Sequence, residues 1–330
     1  MSHSNISIFI PHLGCPNLCS FCNQKSITGI VKPPTAEKVK LICQNALNQI
    51  IDIKNTEIAF FGGSFTAIDR EYMVSLLAAA HEFVKAGRAG GIRISTRPDA
   101  IDKEVLGVLS SYGVTAIELG AQSMDDEILR LNKRGHTADG VRKASALIKG
   151  AGGFSLGLQM MAGLYGDKNP LETAVNTARE FIKLSPETVR IYPTIVVEDT
   201  ELCDLYRKGE YTPLSVDEAA RITSELLIMF EEKGIKVIRV GLHSDESMTE
   251  SAVAGPFHPA FGEICYSLVM RRRLEEKLCG RTGAAEVRVN PKDLSKLLGQ
   301  SKSNVSYFEA KGVKLSVKAD ESVPQGAVKI

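Results

Sequence analysis

Two hydrophobic rhythms alternate along the first two-thirds of the chain. Short runs rich in Ile, Val and Phe stop at Gly or at polar clusters, and stretches with apolar residues three and four apart follow them. The strand-like runs are Ile6–Ile10, Glu57–Phe61, Gly91–Ser95, Val114–Gly120, Phe154–Met161, Thr188–Val196 and Lys236–Leu242. Thr35, after Pro33-Pro34, reads as an N-cap, with Val39, Ile42, Ala46, Leu47 and Ile50 at helical spacing behind it. Asp69 opens a helix to about Ala86. Further helices are expected from Asp102, Asp125, Ala138, Pro170 and Ser215.

Strand–helix alternation with crossovers of this length requires parallel strands. The expected fold is α/β, a partial (β/α)6 barrel, with a doubly wound sheet as the alternative. The rhythm breaks after Leu242. "RRRLEEKL" is helical, "AAEVRVN" strand-like, Ser301–Ala310 helical and "VKLSVK" strand-like. The expected division is a barrel over 1–242 and a small α+β region over 243–330.

A hydrophobic fraction of 44% in 330 residues is enough for a globular core. The net charge of +1 argues neither for nor against a polyanionic partner. Residues 271–330, however, carry 13 Lys/Arg against 7 Asp/Glu, so the C-terminal region is basic and the rest mildly acidic. No basic leader precedes a long apolar run, and no apolar stretch is long enough for a bilayer. The expected location is cytoplasmic, with no membrane partner and with the seven cysteines reduced.

That expectation bears on "PHLGCPNLCSFCNQ", where Cys15, Cys19 and Cys22 fall within eight positions of a polar loop. A Cys₃His zinc site with His12 is one reading. Structural zinc more often pins separated pairs across a loop, and chance clustering at this density is improbable. The other reading is a four-iron, four-sulfur cluster held by three thiolates, leaving one iron open to another ligand.

The spacing Cys15-x₃-Cys19-x₂-Cys22, with Phe21 before the last cysteine, resembles the signature of the radical S-adenosylmethionine (radical SAM) superfamily. The resemblance implies a [4Fe-4S] cluster on those cysteines and S-adenosylmethionine on the open iron. It also implies a 5′-deoxyadenosyl radical that takes hydrogen from a substrate, and a reductant such as ferredoxin or flavodoxin. Phe21 belongs to the cofactor-binding set on this reading. "FFGGSF" is similar to the family's glycine-rich turn, with Gly62 and Gly63 matching and Ser64 in place of a frequent acid. "ELGAQSMDDEILRLNKRGH" resembles a stretch shared by oxygen-independent coproporphyrinogen oxidases and the Elongator catalytic subunit. It puts Gln122 and Arg134 on S-adenosylmethionine, where an Arg fork suits a carboxylate. Ser95 stands where the oxidases carry a ribose-binding acid, and Gln159 where they carry another acid.

"VRIYPTIVVEDTELCDLYRKGEY" and "NKRGHT" are similar to the Elongator catalytic subunit, which carries an acetyltransferase domain after its barrel and modifies tRNA. The implied relatives are short bacterial Elongator-like proteins without that domain. tRNA is the expected substrate class. The alternatives are the same chemistry on a small molecule such as a tetrapyrrole, or a non-catalytic metal protein that binds RNA or a partner. Along strand six Arg190 and Tyr192 alternate, so both are expected in the barrel lumen. His243, at the end of the last barrel strand, is expected to face substrate, and with Tyr192 it forms the catalytic pair. The polar segment Gly241–Glu263, with His258 and Glu263, is expected at the barrel mouth.

Overall fold

Six parallel strands lie side by side in the order in which the chain makes them: β1 (Ser4–Ile10), β2 (Thr56–Gly62), β3 (Gly91–Thr96), β4 (Val114–Gln122), β5 (Ser155–Ala162) and β6 (Thr188–Pro193). A two-residue strand, β7 (Val196–Val197), stands outside the sheet, and β8 (Lys236–Val240) completes it next to β6. The computed structural model describes residues 4–10, 13–15, 19–23, 32–50, 52–242 and 246–330. Sequential order decides between the two expected architectures. Right-handed crossovers that always step the same way put every helix on one face. The other face is left concave, so the sheet is a partial barrel and not doubly wound.

The connecting helices are α1 (Ala36–Leu47), α2 (Arg70–Lys85), α3 (Lys103–Ser111), α4 (Asp126–Leu131), α5 (Ala138–Ala151), α6 (Pro170–Leu184), α7 (Glu201–Arg207) and α8 (Val216–Glu232). Their starts follow local chemistry. Thr35, Asp69, Asp102 and Asp125 each accept a backbone N–H of the first turn, and Ser215 with Glu218 forms a capping box. Along the strands, Ile6, Ile8, Ile10, Ile58, Phe60, Ile92, Ile94, Ile117, Leu158 and Ile191 all turn to the helices and are buried. Each contributes about 1.5–3 kcal/mol over an exposed position. With stability supplied on that face, the alternate positions on the concave face are released for polar side chains.

Two expectations are corrected here. Strand six ends at Pro193, not Val196, because Thr194 donates both its N–H and its hydroxyl to Ala162 O at the end of β5 and Val196–Val197 then pair antiparallel with β9 (Ala252–Ala254). Helix α7, capped by Thr200, was not anticipated. Between β8 and β9 lies the short helix α9 (Glu246–Ser251). The C-terminal region is α+β, as expected: α10 (Phe261–Leu278), β10 (Gly283–Val289), α11 (Leu294–Leu298), α12 (Ser303–Ala310), β11 (Val313–Ala319) and β12 (Val328–Lys329). Phe261, Cys265 and Val269 of α10 pack with Ala219, Ala220 and Leu227 of α8. Met270, Leu274 and Leu278 of the same helix pack with Val287, Leu297 and Phe308 in a second core.

Candidate functional site

The C-terminal ends of the parallel strands and the loops after them enclose a cavity of about 320 Å³, and Cys15, Cys19 and Cys22 all line it. The cysteine loop and the Gly62–Gly63 turn are fitted backbone to backbone. Gly63 N–H donates to Ile10 O (2.7 Å) and Ser64 N–H to Leu13 O (3.0 Å). A Cβ on Gly63 would stand 2.1 Å from Leu13 O, and one on Gly14 would stand 2.2 Å from Ser64 O. Side chains at these positions would part the two segments. The far end of the loop is held by Asn132. Ser20 Oγ donates to Asn132 Oδ1 (2.7 Å), and Asn132 Nδ2 donates to Ile128 O (2.8 Å) and Tyr165 O (3.0 Å).

Phe21, Gly62, Gly63, Ser64, Ser95, Gln122, Arg134 and Tyr192 also border the cavity, so the anticipated site residues among those described gather in one place. Gln122 reaches it by an irregular backbone. Its φ is +66°, next to a shift of register between β4 and β5, and its Oε1 is buried without a partner. Left-handed geometry at a residue with a Cβ is unfavourable and concentrates at functional sites. Arg134 donates from Nη2 to Gly120 O (2.6 Å) and from Nη1 to Cys19 Sγ (2.9 Å), and its guanidinium lies over the Phe21 ring.

Arg97 also belongs here, although no motif marks it. It is 5% exposed, forks onto Asp99 through Nε and Nη2, and leaves Nη1 buried and unpartnered beside the cavity. Ser64, by contrast, is consumed by structure: its hydroxyl meets Thr96 Oγ1 and accepts from Arg97 N–H. Burial pushes the Cys15 thiol up, Cys19 adds to this, and the Arg97 and Arg134 charges oppose it. Burial also pushes the His136 imidazole down to about 4, with Arg134 adding to the effect.

Below the cavity the concave face carries a buried ionic network. Glu118, 1% exposed, accepts from Arg93 Nη1 (3.1 Å), Arg190 Nη2 (2.9 Å) and Gln159 Nε2 (3.0 Å). Arg93 also bonds Glu57 (2.7 Å). Ser95 Oγ leans on the same Glu118 at 3.4 Å, so its hydroxyl faces the network and not open cavity. Arg190 and Tyr192 do share the lumen side, as their alternation predicts.

The residues fit an anionic, sulfur-ligated group. Three thiols, two buried guanidiniums turned to them and an unpartnered amide oxygen suit a soft-metal cluster with an amino-acid ligand. Among the described residues, no three His, Cys, Asp or Glu side chains converge as ligands of a single ion would. Cys43, Cys203 and Cys265 lie in three separate cores and Cys279 is exposed, so they join no common site. His12 and His243 lie outside the described residues. Within the Gly241–Glu263 segment, His258 Nδ1 accepts from Ala260 N–H in a local turn, and Glu263 is exposed on α10. Among the described residues of this segment, Leu242, Ala252 and Phe257 pack with Ile195, Val197 and Met248 in an apolar cluster.

The sequence profile of the Radical SAM superfamily matches residues 9–179, and that of the Radical_SAM C-terminal domain matches 186–270. The chain belongs to the radical SAM superfamily. It is 31% identical over 188 residues to the tRNA uridine(34) acetyltransferase of Methanocaldococcus jannaschii, covering 51% of this chain and 34% of that protein. With human Elongator complex protein 3 it shares 27% identity over 197 residues, 54% of this chain and 36% of the other. The matched stretch thus spans about a third of these relatives' length. Among solved structures, archaeal Methanocaldococcus infernus Elp3 superposes with TM-score 0.65 at 22% identity, over 82% of this chain and 63% of that one. Coproporphyrinogen III oxidase (HemN) of Escherichia coli gives TM-score 0.51 at 16% identity, over 70% and 53%. This radical SAM domain is related to those of Elongator-type proteins, a likeness that spans archaeal and eukaryotic proteins and is not specific to bacterial ones. Among the described residues no helix is long and apolar enough to cross a membrane.

Proposed function

We propose that the chain holds a [4Fe-4S] cluster on Cys15, Cys19 and Cys22, cleaves S-adenosylmethionine there, and acts on RNA, a tRNA in particular. The observation that carries this reading is the convergence of the three thiols with Gln122, Arg134 and the Gly62–Gly63 turn on one cavity at the strand ends. When bound, cluster and S-adenosylmethionine supply reductive cleavage of the sulfonium and a 5′-deoxyadenosyl radical for hydrogen abstraction.

The chain's own residues do the rest. Arg134 and Arg97 offer N–H donors to the anionic groups of the site, and Gln122 Oε1 offers an acceptor for an ammonium. Gly62–Gly63 lets backbone approach the ligand without a Cβ in the way. Phe21, Ile195, Val197 and Leu242 exclude water at the rim, where radical chemistry requires it. Tyr192 and Arg190 border the substrate side, and His243 is assigned a substrate-facing role with them.

The electron comes from a donor such as ferredoxin or flavodoxin in the cytoplasm. In residues 261–330 the barrel is followed by the small α+β module. The test is anaerobic reconstitution with iron and sulfide, followed by metal analysis and assay of 5′-deoxyadenosine under reduction. Iron with 5′-deoxyadenosine is expected. Zinc in place of iron, or no 5′-deoxyadenosine, would end the reading. A comparison of RNA nucleosides from cells with and without the protein tests the substrate class.

A further inference from the structure

The C-terminal module has an architecture of its own. β10 leads into α11, a four-residue loop (Gly299, Gln300, Ser301, Lys302) leads into α12, and the chain returns in β11, which pairs parallel with β10. β12 adds antiparallel on the other side, so β11 is an edge strand. Val287, Val289, Leu297, Phe308 and Val313 make the core between sheet and helices. Strand, helix, four-residue loop, helix, parallel strand is the arrangement of KH modules, whose Gly-x-x-Gly loop clamps the backbone of about four nucleotides.

The connection, a kinked 3-10 turn over Gln300–Lys302, keeps the first glycine of that pattern and the backbone of the second. Gly299 has φ +75°, and a Cβ there would meet Ser303 Oγ at 2.5 Å and Ser267 Oγ at 2.9 Å. Lys302, where the second glycine would stand, takes the left-handed conformation (φ +61°) that glycine favours. Gln300, Ser301 and Lys302 are exposed. Asn304, fully buried, holds the loop's base: its Nδ2 donates to Leu297 O (3.0 Å) and Ser267 O (2.9 Å), and its Oδ1 accepts from Arg271 Nε (2.7 Å).

Charge argues for the occupant. The region from 271 to 330 carries 13 Lys/Arg against 7 Asp/Glu. Six of them are in ion pairs, such as Lys311 with Glu275 and Lys318 with Glu286. Among the described residues Lys292, ahead of α11, Lys302 in the loop and Lys314 on edge strand β11 have no carboxylate partner. Unpaired exposed cations along one loop and one strand edge match a phosphate backbone. Leu315 and Val317, on the face of β11 opposite Lys314, pack against the second core and expose only their half-buried edges to a base.

We propose that this module is an RNA-binding site that clamps an unpaired stretch of RNA between the Gly299–Lys302 loop and edge strand β11. It deepens the RNA reading given above and supplies a contact remote from the radical centre.

The test uses full-length protein and labelled single-stranded RNA, read by fluorescence anisotropy over a salt series. Gln300→Asp with Ser301→Asp places acids where phosphates would lie and is expected to weaken binding by about tenfold or more. Lys302→Gln is expected to lower the log–log salt slope by about 1. Lys85→Gln with Lys103→Gln, on exposed barrel helices, makes the same change in net charge and should leave binding unaltered. Wild-type affinity in the loop double variant, equal loss in the barrel control, or duplex RNA bound as tightly as single strands would overturn the proposal. Should the double variant fail to fold by circular dichroism, the slope of Lys302→Gln decides alone: an unchanged slope overturns it. Formation of 5′-deoxyadenosine by wild-type protein is measured separately without RNA. Its absence would count against the cluster reading while loop-dependent RNA binding stood, and the reverse pattern would sink only this inference.

Discussion

Ser20 Oγ donates to Asn132 Oδ1 across 2.7 Å, tying the cysteine loop after β1 to the segment that follows α4, more than a hundred residues on. The two residues join distant parts of the barrel domain's sequence beside the site. One sits between two of the three cysteines, and the other lies two positions before Arg134.

Asn132→Ala removes the acceptor for Ser20 and the donor to Tyr165 O. Buried groups left unpaired in this way cost about 1–3 kcal/mol. We expect that loss in urea unfolding, together with lower iron uptake on reconstitution. Stability equal to wild type would show that the loop does not depend on this anchor.

Arg134→Ala is expected to weaken S-adenosylmethionine binding by about tenfold or more, since a hydrogen bond to a charged group is worth about 1.5–3 kcal/mol. Iron content should fall less, because Arg134 donates to Cys19 without replacing a thiolate. Arg134→Lys keeps the charge but not the fork and should fall between. Anaerobic equilibrium dialysis beside an iron count checks this, and equal loss of both would point to misfolding.

Cys19→Ala is expected to abolish cluster binding and to leave the barrel folded. The diagnostic is the ultraviolet–visible and electron paramagnetic resonance signal of the reconstituted protein, with far-ultraviolet circular dichroism as the fold control. A full cluster in this variant would contradict the ligand assignment.

Glu118→Gln leaves Arg93 and Arg190 buried with less compensating charge. Removing one member of a buried ionic network costs about 3–5 kcal/mol. Glu82→Gln, at the exposed pair with Lys40, should cost less than about 1 kcal/mol. Denaturant midpoints of the two variants should differ accordingly, and similar midpoints would mean that the network is not structural.

His136 gives a pH dependence with a definite sign. Its ring is held neutral by burial, at about 4 against an ordinary 6.5, with Nε2 3.1 Å from Ala121 O. Between those values the unfolded chain takes up the proton and the folded chain does not. Stability therefore falls as pH drops through that window and is fully present above it, a contribution of about 3 kcal/mol. His136→Gln should flatten the curve of unfolding free energy against pH over that range. An identical slope in the variant would remove His136 from the account.

Much of this was legible in the chain. Alternation in runs such as Ile6–Ile10 marked strands whose Ile side chains turn to the helices, and Asp69 and Asp102 cap as their position implied. The cysteine triplet, Gln122 and Arg134 could be read because their signals are local in sequence. Glu118 could not, since its partners stand 25, 41 and 72 residues away on other strands. Arg97 looks in sequence like a loop cation before Pro98; only its burial and the fork onto Asp99 reveal a spare N–H toward the thiols. Helix α10 was seen only in its charged second half, because its two halves turn different faces to different cores.

That division of α10 has a mechanical consequence. A single rod of 18 residues, about 27 Å long, has one end gripped by α8 and the other by the C-terminal core. Neither core can melt without stripping partners from the other, so the two share one unfolding transition. Strain or protection applied at the far sheet travels along α10 to the helix layer of the barrel, and amides in α8 would report it in hydrogen exchange.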